Sequence, residues 1–553
     1  QYAEPLNKLL GLITDLFNHK LDEKFAEEHE IKLEDLKKIK TFHWVFGFPE
    51  VFLDRGGFDV VVGNPPYVRA DTDDAFIIKE RELILKTGFY ETLYEKWDMY
   101  IAFIERGFKL SRKKGYFSLI VEDSYNSSKY AKKSHNYFVE NAMIKELNFC
   151  SDISIFQGVG VRNTIFIFKN EKNSNNIPQR LKRIERFENF VSLPSTTQKD
   201  FGNDLFNPRK SPEQTISINE FNYLKEICYI SYGLRPNADE RKYKGEFKKS
   251  DLISEIKDHK HPSPYLEGKM ISKWQIKEFK FLEWGTERSP QKLVRPTFPE
   301  LYKPPKILFG SITGSTYDNI GFFCNHSIIV ITPWINLRGV SNRSISKKAK
   351  GKIREQFEKL SMQYELKFLL MIINSTIGSY LIKQNQRNKL SVYPDDLSNL
   401  KIKICSKENQ KKYAFPSDYL LFLNATEERR QKLKDTIEFF DRQIADSLVY
   451  ELYFKEKFAE DGLYPEPKEY LLEEVSKHLK PINYDRWAEL YWKGQLEGNL
   501  TEEEQKELEE LEKENMDVIS KVYHSLTQDK EVQKWIERIK SHEWIKIIEG
   551  EVK

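Results

Sequence analysis

The chain is poor in the residues that build metal centres and covalent scaffolds. It carries four cysteines in 553 residues, Cys150, Cys228, Cys324 and Cys405, far apart in sequence. That spacing matches neither a zinc site nor a disulfide framework. It suits a reducing compartment, so a cytoplasmic location is expected. The histidines give one close pair, His259 and His261, with no cysteine nearby and Pro262 following. It reads as a surface turn, and no metal is expected. Long apolar runs are lacking too. The longest, Phe368 to Ile373, is far short of the ~18 residues that a bilayer span needs. No charged-then-apolar leader opens the chain, so neither membrane insertion nor secretion is supported. In their place stand 28 Tyr, 37 Phe and 9 Trp, a density that excludes wholesale disorder. At roughly 100–200 residues per domain, the length implies three or four domains.

The net charge of +3 conceals an asymmetry. Residues 231–350 hold 22 Lys+Arg against 12 Asp+Glu, whereas residues 421–553 hold 21 against 32. A basic middle beside an acidic tail points to an anionic partner for the middle. Along the chain, Leu9, Leu10, Ile13, Leu16 and Phe17 recur at helical spacing, so residues 1–52 form a helical lead-in. "FDVVVG" at 58–63 predicts a buried parallel strand. Residues 97–111 carry Tyr100, Phe103, Ile104 and Phe108 on one helical face. Further strands are expected at 115–123, 144–150 and 161–169, with a helix over 128–141. This alternation indicates an α/β layered sheet. The polar stretch 169–180 marks a boundary. Beyond it, residues 230–420 mix short strands with one helix at roughly 364–383. Ile437, Phe440, Ile444, Leu448 and Leu452 open a helical tail. The run at 502–514 reads as a solvated acidic helix, and no internal repeat is visible.

The chemically informative tetrapeptide is Asn64-Pro65-Pro66-Tyr67, directly after the strand 58–63. A residue before proline is pushed out of the helical region, and two successive prolines stiffen the backbone. The result is a rigid extended loop at the carboxyl end of a strand, where open α/β sheets bind ligands. The Asn64 side-chain oxygen and the Pro65 carbonyl can accept both hydrogens of one planar NH₂ group. Tyr67 can lie flat against its ring. Such a grip draws the nitrogen towards a tetrahedral shape and frees its lone pair for attack on an electrophilic methyl group. Adenine N6, cytosine N4, an RNA amine and a glutamine amide all satisfy this logic. A base inside a duplex would have to be flipped out.

"FDVVVGNPPYVR" resembles the motif of the γ-class N6-adenine DNA methyltransferases. With "FHWVFGFPEVF" before it, the chain is similar to the methylase-plus-specificity part of the type IIG restriction–modification enzymes. The fold this implies is part of a Rossmann-like methyltransferase sheet, then a mixed α+β target-recognition domain of the Taq type and a helical C-terminal region. The expected limits are 53–175 for the catalytic half, 176–229 for a connecting segment, 230–420 for target recognition and 421–553 for the helical region. The resemblance implies an adenine-specific DNA methyltransferase of a restriction system that uses S-adenosylmethionine. "KWDMYIAFIERGFKLSRKKGYFSLIVEDSY" puts Phe103 beside the cofactor's adenine. "SIFQGVGVRNTIFIF" puts Phe156 against the flipped base, opposite Tyr67. Arg235, Arg241, Lys242, Lys244, Lys248 and Lys249 are phosphate-contact candidates on double-stranded DNA. Two features depart from the pattern. No Gly-rich cofactor turn precedes Asn64, and neither Gly158-Val159-Gly160 nor "FGSITGS" at 309–315 has its context. No nuclease is assigned. Another segment or subunit is therefore expected to supply the cofactor half. The competing reading is a DNA-recognition module inactive alone.

Overall fold

The computed structural model describes residues 3–39, 41–156, 158, 160–208, 218–310, 312–386 and 392–552. They form two compact units, 1–215 and 216–553.

The first unit is built on a six-stranded sheet. Its strands are β1 (Phe58–Gly63), β2 (Ser111–Glu122), β3 (Met143–Phe149), β4 (Asn163–Lys169), β5 (Gln179–Ile184) and β6 (Arg186–Leu193). They lie in the order β1-β2-β4-β3-β5-β6. The sheet is mixed: β1 runs parallel to β2 and β3 to β5, while β4 is antiparallel to both of its neighbours. The helix Tyr100–Leu110 buries Tyr100, Ile101, Ile104 and Phe108 in a core shared with Phe117, Val121, Phe138, Leu147 and Phe166. Gly107 permits this packing, because a Cβ there would meet the Phe117 ring at 2.5 Å.

Three expectations are corrected here. β1 is an edge strand, not a buried one: Val61 packs on the core, but Val60 and Val62 are 58% and 72% exposed. Phe103 does not share the buried face of its helix and is 46% exposed. The polar stretch near 175 is a turn within the sheet, since β5 and β6 continue it to Leu193.

In the second unit, an antiparallel sheet places Gly314–Asp318, Lys306–Gly310, Ile328–Pro333 and Cys228–Tyr232 side by side. Ile230, Ile307 and Ile331 of this sheet join one core with Leu370, Leu420, Leu448, Trp487, Ile519 and Ile545. The acidic C-terminal helices therefore complete the core of the basic region. The helix expected over 364–383 is two helices, Leu366–Asn374 and Thr376–Asn385, meeting at 75°. Among the described residues no single helix is long and apolar enough to cross a membrane.

Candidate active site

Sheet topology gathers the candidate residues at one end. β1 and β2 are parallel, so the loop after Gly63 and the turn after Glu122 emerge together. Glu122 pairs with Asn163 and Phe149 with Thr164, so the loop 150–162 opens at that same end. Asn64-Pro65-Pro66-Tyr67 leaves β1 there. Gly57, at φ 136°, lets the chain approach β2 closely: a Cβ would meet the Leu110 carbonyl at 2.7 Å and the Arg112 amide at 2.8 Å.

The tetrapeptide is anchored but open. Pro65 is buried, Asn64 and Pro66 are exposed, and Tyr67 is half-buried. The Tyr67 hydroxyl donates to the Ile120 carbonyl at 3.2 Å and accepts from Asn163 Nδ2 at 3.0 Å. Burial lifts this phenol above its ordinary value, against the lowering effect of the Asn163 bond. It therefore stays neutral and keeps its proton for Ile120. Pinning the hydroxyl to two strands fixes the ring as a wall of the loop.

Residues downstream hold the loop's far end. The Ala70 amide donates to Asp98 Oδ1 at 2.8 Å, and the Met99 amide donates to the Val68 carbonyl at 3.0 Å. The other Asp98 oxygen takes a short bond from the Tyr130 hydroxyl, which lies 2.9 Å from that of Tyr100. Glu122, half-buried at the end of β2, is pushed above the ordinary carboxylate value by burial, then by Asp98 and Asp123. The sequence offered no signal for the roles of Asp98, Tyr130 and Asn163. Their partners lie 28, 32 and 96 residues away.

Phe156 is half-buried in the loop 150–162, at the same end as Tyr67, and Ser154 Oγ donates to its carbonyl at 2.9 Å. No ring pair joins Phe156 to Tyr67 among the described residues. Phe103 presents its ring on the helix Tyr100–Leu110. Val159 and Ser311, in the two weak glycine patterns, lie outside the described residues. His261 Nδ1 lies 2.9 Å from Asp258 Oδ1, while His259 is exposed.

The basic candidates lie in the second unit. Arg235 is exposed on the strand Arg235–Ala238. Arg241, Lys242 and Lys244 are exposed in the turn after it, and Lys248 is exposed beside the half-buried Lys249. Lys249 is the one already neutralised, 2.7 Å from Glu267.

Residues 7–156 match the family model described as Eco57I restriction-modification methylase. A candidate type II restriction enzyme and methyltransferase of Methanocaldococcus jannaschii is 23% identical over 81% of this chain and 35% of its own length. A type II methyltransferase of Geobacillus stearothermophilus, M.BstVI, is 34% identical over 16% of this chain and 15% of its own. The chain thus spans about a third of the first relative and less of the second. The type IIL restriction-modification enzyme MmeI, solved in complex with DNA, is 10% identical with a TM-score of 0.42, covering 73% of this chain and 54% of that one. Residues 7–156 are thus similar to the Eco57I restriction-modification methylases.

Proposed function

We propose that the chain provides the catalytic half and the recognition unit of a site-specific DNA methyltransferase acting on adenine N6 in a restriction–modification system. The observation that carries this reading is the Asn64–Tyr67 loop. It is fixed by a buried proline and a pinned tyrosine, yet leaves Asn64 open to a ligand at the carboxyl end of β1. Asn64 Oδ1 and the Pro65 carbonyl would accept the two amino hydrogens. Tyr67 would stack on the flipped base, with Phe156 on its other face. S-adenosylmethionine, in this reading, supplies an electrophilic methyl group when bound. Among the residues given, only one edge of it is fitted: Phe103 offers an apolar wall, and residues 1–57 hold no glycine-rich turn. The chain's own work is therefore to extrude, orient and polarise the amine.

The exposed β1 edge favours one qualification. Val60, Val62 and Phe103 are apolar and uncovered, as expected where further strands of a cofactor-binding segment pair with β1. In this reading the chain alone recognises DNA but transfers no methyl group until that segment is supplied.

The test is transfer of labelled methyl from S-adenosylmethionine to duplex DNA, with nucleoside analysis of the product. N6-methyladenine is expected from the complemented protein, and Asn64→Ala should lower turnover by at least about 100-fold. Because Asn64 is exposed, the melting temperature should stay at the parent value. Methylation at cytosine N4, in RNA or in protein, would replace adenine as the substrate. Near-normal turnover of Asn64→Ala would remove the loop from catalysis.

A further inference from the structure

Part of the positive charge in the basic region is neutralised within the fold. Lys249 pairs with Glu267, Lys260 and Arg288 with Glu283, Lys280 with Glu255, Lys292 with Glu246, and Lys306 with Asp318. Arg235 and Arg295 differ. They are partners across the antiparallel pair Arg235–Ala238 and Leu293–Arg295, just beyond a bulge in its register. Cross-strand partners project to one face, about 4.5–5.5 Å apart at Cβ, and like charges placed so destabilise the sheet. Neither arginine has a carboxylate within ion-pair distance among the described residues. The Arg295 guanidinium instead lies over the Tyr232 ring, 5.4 Å from its centroid.

A third polar group is held beside them. Gly233 brings the backbone against the 324–325 turn, where a Cβ would meet the Cys324 carbonyl at 2.2 Å. Leu234 then bridges to Asn325, and the exposed His326 comes directly after it. Burial lowers the proton affinity of His326, and Arg235, Arg295 and Lys249 lower it further.

Resting on the reading that the second unit engages DNA, we infer that Arg235 and Arg295, flanked by His326, form a receptor for a single backbone phosphate of duplex DNA. Two guanidinium forks on one face match the two non-bridging oxygens of a phosphodiester. The bound anion removes the cross-strand repulsion that the free protein carries.

The test is a titration of the full chain with fluorescent duplex DNA across a salt series, for the parent and for Arg235→Gln, Arg295→Gln and the double variant. Each single variant should bind about tenfold more weakly. The slope of log K against log salt should fall by about 0.9. The double variant should lose about the same slope, not twice it, because one phosphate is shared. Arg235→Gln in the absence of DNA should melt at the parent temperature or above it, which separates the role from folding. Unchanged affinity and slope in the variants, with the parent still binding DNA, would overturn the receptor and leave the DNA reading standing. A changed base preference at unchanged slope would also overturn it, making the arginines base readers. A parent chain that binds no duplex DNA would overturn both.

Discussion

Asn64, Pro65, Pro66 and Tyr67 are legible in the sequence because their chemistry is local. Proline stiffness, a free carbonyl and an adjacent amide oxygen need no distant partner. The contacts that hold the loop in place are not local. Asp98 fastens Ala70 and takes the Tyr130 hydroxyl, and Asn163 fastens Tyr67. Such pairings come into being only when the sheet closes. Asp98 is a positioning residue, and its substitution tests that. Asp98→Ala strips the Ala70 amide and the Tyr130 hydroxyl of their acceptor, at a cost of about 1–3 kcal/mol. In the complemented enzyme it should lower turnover while leaving DNA affinity in place. Asp98→Asn keeps an oxygen for Ala70 and should recover most of both, as read by thermal melting and methyl transfer. Recovery of stability without turnover would give the carboxylate a part in the chemistry itself.

At the scale of elements, periodicity located strands and helices well and their surroundings less well. The apolar run 58–63 is a strand, as its composition demands, but composition alone cannot distinguish a central strand from an edge strand whose second face is bare. The helix expected over 364–383 breaks at Ser375, whose hydroxyl oxygen caps the Gly378 amide at 3.0 Å. The signal for the break was the Ser-Thr-x-Gly pattern inside an otherwise apolar run. Gly378 is required there, since a Cβ would meet the Ile372 carbonyl at 1.9 Å. Gly378→Ala should destabilise the second unit by about 1–3 kcal/mol through overpacking. Denaturant unfolding would measure it, and an unchanged midpoint would show that the bend adjusts freely.

At the scale of the molecule, the basic middle and the acidic tail differ sharply in charge, yet the two regions share one core. Charge describes surfaces, whereas the apolar positions of the two regions meet inside. Glu451 shows the cost of that burial. Its carboxylate accepts from the Tyr464 hydroxyl at 2.6 Å and from the Leu471 and Leu472 amides at 2.6 and 2.8 Å. Burial outweighs these bonds and lifts it to about 7. A carboxyl raised above its unfolded value of about 4.3 stabilises the fold fully below that value. The contribution is lost as pH rises through about 7. The melting temperature of the parent minus that of Glu451→Gln should therefore be larger at pH 5 than at pH 8. A difference independent of pH would mean that Glu451 titrates normally in the fold.

The bare valines of β1 also bear on how residues 1–553 behave in isolation. An unprotected strand border accepts any extended backbone presented to it, including that of a sibling molecule. Prepared as residues 1–553, the polypeptide should self-associate as its concentration rises.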